Sequence, residues 1–149
     1  MIKIDKSKLK EEDHQKMLVK YLEIQKQMGN IIEYFAPMNE NKQSFSNRAV
    51  ALKVEAKAKA MGKKTGVSDL CIILKNRVVF IEMKKAPKKL KSGKLSYTGI
   101  IVSDYQNKFI ETVKKSNVCG AVVCYGFDEA KNFIDIQIQI DKTKRLENE

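Results

Sequence analysis

Between residues 66 and 84 the chain reads Gly66-Val67-Ser68-Asp69-Leu70-Cys71-Ile72-Ile73-Leu74-Lys75-Asn76-Arg77-Val78-Val79-Phe80-Ile81-Glu82-Met83-Lys84. Two apolar runs, Leu70 to Leu74 and Val78 to Ile81, are separated by three polar residues. That pattern predicts a β-hairpin whose turn is Lys75-Asn76-Arg77. Both strands are apolar on both faces, so they belong in the middle of a covered sheet. Polar residues appear only at the ends of the runs: Asp69 before the first, Glu82 and Lys84 after the second.

The flanking segments supply the cover. Lys8 to Met28 carries Met17, Leu18, Tyr21, Leu22, Gln25 and Met28 at helical spacing. Glu11, Glu12 and Asp13 suit the positive end of that helix dipole, and Gly29 stops it. A short strand is expected at Ile31 to Phe35, a loop at Pro37 to Asn47, and an Ala- and Lys-rich helix at Arg48 to Met61. A basic turn, Gly62-Lys63-Lys64-Thr65-Gly66, leads into the hairpin. Lys84 to Lys94 holds six lysines with Pro87 and Gly93 and reads as a mobile loop. Ser103 to Lys115 is a helix with a stripe of Tyr105, Phe109, Ile110 and Val113. Val118 to Tyr125 is a buried strand, after which Asp128 caps a last helix carrying Ala130, Phe133 and Ile134. Ile134 to Ile140 alternates with period two, which leaves a late strand and a helix continuation both open. With no repeat and no linker, residues 1–149 form one domain. The predicted fold is α/β, a central mixed sheet flanked by helices.

Lys plus Arg outnumber Asp plus Glu by 29 to 18, a net charge of +11 on 149 residues. Such a field captures polyanions, and nucleic acid is the leading partner. The charged amino-terminal residues do not form a secretory signal, and no apolar run reaches the roughly 20 residues of a membrane span. Cys71, Cys119 and Cys124 are odd in number and lack zinc-site spacing, so they read as reduced core residues of a cytoplasmic protein. His14 is the only histidine, which excludes a His-rich metal site.

In a strand, residues two apart share a face, so Glu82 and Lys84 project together while Ile81 and Met83 turn into packing. The hairpin brings Asp69 beside Glu82. Two neighbouring carboxylates repel unless a cation lies between them. All-oxygen ligands suit Mg²⁺, which lowers the pKa of a bound water and neutralises phosphate charge. Lys84 can orient that water or stabilise the transition state. Glu-x-Lys recurs at Glu40, Glu55 and Glu129, but only Glu82-x-Lys84 ends a buried strand with an Asp across a hairpin. The plainer reading of Glu82 and Lys84 is an ion pair at a strand end.

Gly66-Val67-Ser68-Asp69-Leu70 followed by Phe80-Ile81-Glu82-Met83-Lys84 resembles the signature of the PD-(D/E)xK nuclease superfamily, and more closely its VRR-NUC family, the virus-type replication-repair nucleases. Glu12 and Gln15, Pro37-Met38-Asn39-Glu40, the segment Ala60 to Gly66, Ser103 to Gln106, and Tyr125 to Ala130 resemble further family segments, over about residues 11 to 134. Ser68 stands where the superfamily name has proline. The resemblance implies a restriction-endonuclease-like core and a Mg²⁺-dependent endonuclease, with Mn²⁺ able to substitute. It implies Asp69, Glu82 and the Met83 carbonyl as metal ligands and Lys84 as the catalytic lysine. Glu12, with Glu11 competing for the alignment, is an accessory carboxylate, and Gln106 lies beside the centre. It also implies a homodimer acting on branched DNA such as four-way junctions, in a bacterial or phage setting.

Gln106 stands three residues after Ser103, so a capping box accounts for it equally well. Lys64, Lys85, Lys88, Lys89, Lys91, Lys94 and Asn39 are the candidate DNA contacts. Two other readings compete: a basic nucleic-acid-binding module without catalysis, and a sequence-specific nuclease of restriction type. The first has no need of Asp69, Glu82 and Lys84 together. The second needs base-reading elements in a groove.

Overall fold

The computed structural model describes residues 5–37 and 47–147. The hairpin lies at the centre: β2 (Leu70–Ile73) pairs antiparallel with β3 (Val78–Lys84), closed by a Leu74 N–H bond to the Arg77 carbonyl. β1 (Glu33–Phe35) adds antiparallel to β2, and β6 (Cys119–Tyr125) adds parallel to β3. The sheet order is β1-β2-β3-β6, a mixed sheet.

Alternation along β3 divides the molecule. Val79, Ile81 and Met83 face a core built with Leu18 and Leu22 of α1 (Glu11–Gln27) and Ala130, Ile134 and Ile138 of α4 (Phe127–Glu147). Phe80, Glu82 and Lys84 share the other face, where Phe80 meets Phe109 of α3 (Asp104–Val113) edge-on at 5.2 Å. The fold is therefore α/β, a central mixed sheet between helices. Gly120 lets α4 approach β6, since a Cβ there would lie 2.7 Å from the Gln137 side chain. α2 (Arg48–Ala60) stands apart from this packing and buries none of its residues. No helix among the described residues is long and apolar enough to cross a membrane.

Three segments differ from expectation or settle an open choice. Residues 134–140 continue α4: Ala130, Ile134 and Ile138 are buried at helical spacing while Ile136 is 57% exposed, so burial follows the helix period. Asp128 lies in the first turn of that helix rather than before it, and pairs with Lys6 at 2.7 Å. The expected loop from Lys84 to Lys94 is a strand end and a ribbon. Lys84 closes β3, and β4 (Lys88–Lys89) pairs antiparallel with β5 (Leu95–Ser96). Gly93, at φ +82°, makes the turn between them. Lysine and proline mask this ribbon in the sequence, because neither carries a strand signal.

Candidate active site

The centre lies where β2 begins and β3 ends. One step beyond the Leu70–Ile81 pair, the register sets Asp69 opposite Glu82. Asp69 Oδ2 accepts the Met83 N–H at 2.7 Å, which ties the start of β2 to the end of β3. Met83 is fully buried, so its side chain packs in the core while its main chain passes through the centre. Glu82 is 1% exposed and Lys84 8%. Glu82 Oε1 accepts from Lys84 Nζ at 2.9 Å and from Gln106 Nε2 in a short contact. Glu82 Oε2 is buried with no hydrogen-bond partner among the described residues, and so is the hydroxyl of Ser68.

Gln106 performs both roles that its position allows. Its Oε1 accepts from Ser103 N–H at 2.9 Å, its own N–H donates to Ser103 Oγ at 3.2 Å, and its Nε2 reaches Glu82. The capping box therefore aims the side-chain amide into the centre. Close packing fixes the approach of the chain to Asp69. Gly66, at φ +82°, lies against the Tyr105 backbone, and a Cβ there would come within 2.5 Å of it.

Burial is the largest of the influences that together raise the Glu82 pKa from 4.5 to about 7; the hydrogen bond and charge of Lys84 oppose it, and the charges of Asp69 and Glu11 add to it. Burial works against the Lys84 charge, but the bond it donates to Glu82 and the charges of Glu82, Glu11 and Asp69 outweigh it, so the Lys84 pKa is raised. Lys84 thus stays cationic at neutral pH. Glu82 is poised to lose its proton when positive charge arrives.

Of the two candidate acids on α1, Glu11 and Glu12, Glu11 is the one whose charge is felt at both Glu82 and Lys84. Glu12 does not join the centre: it is 66% exposed and pairs with Lys16 at 3.8 Å. The two residues are about 100° apart on the helix, and only the docking of α1 chooses between them. His14 is fully buried and accepts the Phe127 N–H at 3.1 Å. It lies on the same stripe as Leu18 and Leu22, four and eight residues on, which is the signal for a packing role.

Lys64 is exposed on the segment before Gly66. Lys85 is half-buried just past β3, and Lys88, Lys89, Lys91 and Lys94 are exposed on the ribbon. Tyr97 packs edge-on against Tyr125 at 5.0 Å. Asn39, with Met38 and Glu40, lies outside the described residues.

No three His, Cys, Asp or Glu side chains cluster as a metal cage among the described residues. A cation at this centre would have two carboxylates, Asp69 and Glu82, supplemented by main chain and water. That sparse set suits Mg²⁺, which binds through one or two carboxylates and keeps several waters. The unpartnered Glu82 Oε2 is the oxygen that such an ion would satisfy. Compared with protein-family models, curated proteins and solved structures, the chain matches none of them.

Proposed function

We propose that this chain is a metal-dependent DNA endonuclease of the PD-(D/E)xK type, with its centre at Asp69, Glu82 and Lys84. One observation carries the reading: a buried carboxylate with an unpartnered oxygen, opposite a second carboxylate and bonded to a buried lysine. As a purely structural ion pair this arrangement is poor, since desolvating a carboxylate and leaving one oxygen unmet costs stability. As a cation site it is economical.

A divalent ion bound there supplies an acidified water and neutralises phosphate charge. Asp69 and Glu82 would hold the ion, with the Met83 main chain beside them. Lys84, cationic at neutral pH, serves as an electrostatic stabiliser of the crowded phosphorus centre rather than as a base. Gln106 fixes the Glu82 carboxylate from the side, so its free oxygen points one way. Glu11 adds negative charge near the ion.

The +11 charge and the exposed lysines of the ribbon that leaves the centre support a polyanionic substrate. Resemblance to VRR-NUC nucleases favours branched DNA such as four-way junctions, cut by a homodimer. A symmetric pair of incisions needs two equivalent centres. The test is cleavage of an end-labelled four-way junction beside duplex, flap and single strand, in Mg²⁺, in Mn²⁺ and in chelator. Paired, metal-dependent incisions in the junction are expected. Cutting of other substrates alone would remove the junction from the proposal, and no cutting in any metal would remove the nuclease.

A further inference from the structure

The β4–β5 ribbon is exposed without interruption from Lys88 to Leu95. It carries Lys88, Lys89, Lys91 and Lys94, and the chain holds no Asp or Glu between Met83 and Ser103. None of these four lysines forms a salt bridge among the described residues. Leu90 and Leu95 are 49% and 55% exposed, so the ribbon has no apolar face packed on the body. A free two-stranded hairpin is marginal in water. This one is braced at its tip by the Leu90 N–H bond to the Lys94 carbonyl at 2.8 Å and the Gly93 N–H bond to the Leu90 carbonyl at 2.9 Å.

Both legs of the ribbon are rooted at the centre. One leaves Lys84 directly through Pro87. The other ends at Tyr97, whose ring packs on Tyr125, the register partner of Lys84. Two paired strands are about 5 Å apart, and with side chains they fill a groove about 12 Å wide, the width of the B-DNA major groove.

We propose that the ribbon enters the major groove of a duplex arm next to the scissile phosphate, with its lysines on the flanking phosphates. This rests on the nuclease reading and gives its substrate a definite feature: a B-form arm beside the cut. An A-form helix is excluded as the preferred arm, because its major groove is deep and narrow.

The test compares wild type with the variant Lys88→Gln, Lys89→Gln, Lys91→Gln, Lys94→Gln, binding a labelled DNA duplex in chelator across a salt series. All four side chains are exposed, and a thermal melt confirms the variant's fold. The salt dependence, d log K/d log[salt], is expected to weaken by roughly 3–4, about 0.9 for each lost phosphate contact. Dimethyl sulfate protection of guanine N7, a major-groove atom, is expected for wild type and lost in the variant. A weakened salt slope without N7 protection in wild type would overturn the groove placement. An unchanged slope with unchanged protection would overturn the ribbon as a DNA element. Cleavage by wild type in Mg²⁺ is scored separately, so a failed ribbon and a failed nuclease are told apart.

Discussion

Replacing Glu82 with glutamine should stabilise the metal-free protein while ending its use of metal. The folded chain raises the Glu82 pKa from 4.5 to about 7. For a carboxyl raised in this way, the favourable contribution of its protonated form is complete below pH 4.5. It is lost as pH rises through 7. Above that, holding the ionised group in place costs about 3 kcal/mol, from a shift of roughly 2.5 units at 1.36 kcal/mol each. Glutamine keeps an oxygen for Lys84 and Gln106 and removes the buried negative charge, while its amide nitrogen meets no more partners than Glu82 Oε2 does. Some of the gain is offset because Lys84 loses its formal counter-charge. Glu82→Gln should therefore gain about 1–3 kcal/mol at pH 8 in chelator, a rise in Tm of roughly 3–9 °C for a chain of this size. At pH 5 the wild-type carboxyl is protonated in the folded state, and the gap should close. Adding Mg²⁺ should raise the wild-type Tm and leave the variant unmoved. Differential scanning fluorimetry across pH reads all three. A variant that melts below wild type at pH 8, by a margin that persists at pH 5, would show that Glu82 and Lys84 form a stabilising ion pair and refute the argument from burial.

Further outcomes follow from the same geometry. Mg²⁺ affinity should rise about tenfold per pH unit below 7 and level off above it, because the ion displaces the Glu82 proton; calorimetry in buffers of different ionisation enthalpy would count that proton. Gly66→Ala should cost roughly 2–4 kcal/mol, since its Cβ meets the Tyr105 backbone at 2.5 Å and φ is +82°; a melt unchanged from wild type would refute the close packing before Asp69. His14→Ala should cost roughly 2–4 kcal/mol through a buried cavity and a freed Phe127 N–H, read by urea denaturation.

The centre of the fold was legible because period and composition agreed there. The apolar runs around Ile72 and Phe80 could only be central strands, and Asp69, Glu82 and Lys84 stood out as polar residues at their ends. Other elements carried too little signal or two signals at once. The ribbon from Lys88 to Ser96 is too short and too charged to announce itself as strand. Ile134 to Ile140 satisfies a strand period and a helix period together, and packing against α1 and the sheet selects the helix. Gln106 could cap or reach the centre, and its side chain has enough polar atoms to do both. Glu11 and Glu12 are adjacent in sequence, and the rotation of α1 that separates their roles is set by His14, Leu18 and Leu22 in the core.

The most direct measurement of the central claim is the single-turnover cleavage rate of wild type and Lys84→Ala on the same DNA, in Mg²⁺ and in chelator, with folding of both confirmed by melting. The account predicts cleavage by wild type only with metal, and a rate lower by about 10²–10³ in the variant, the scale for losing one preorganised electrostatic stabiliser. Equal rates for the two proteins, or cleavage by wild type that persists in chelator, would contradict it.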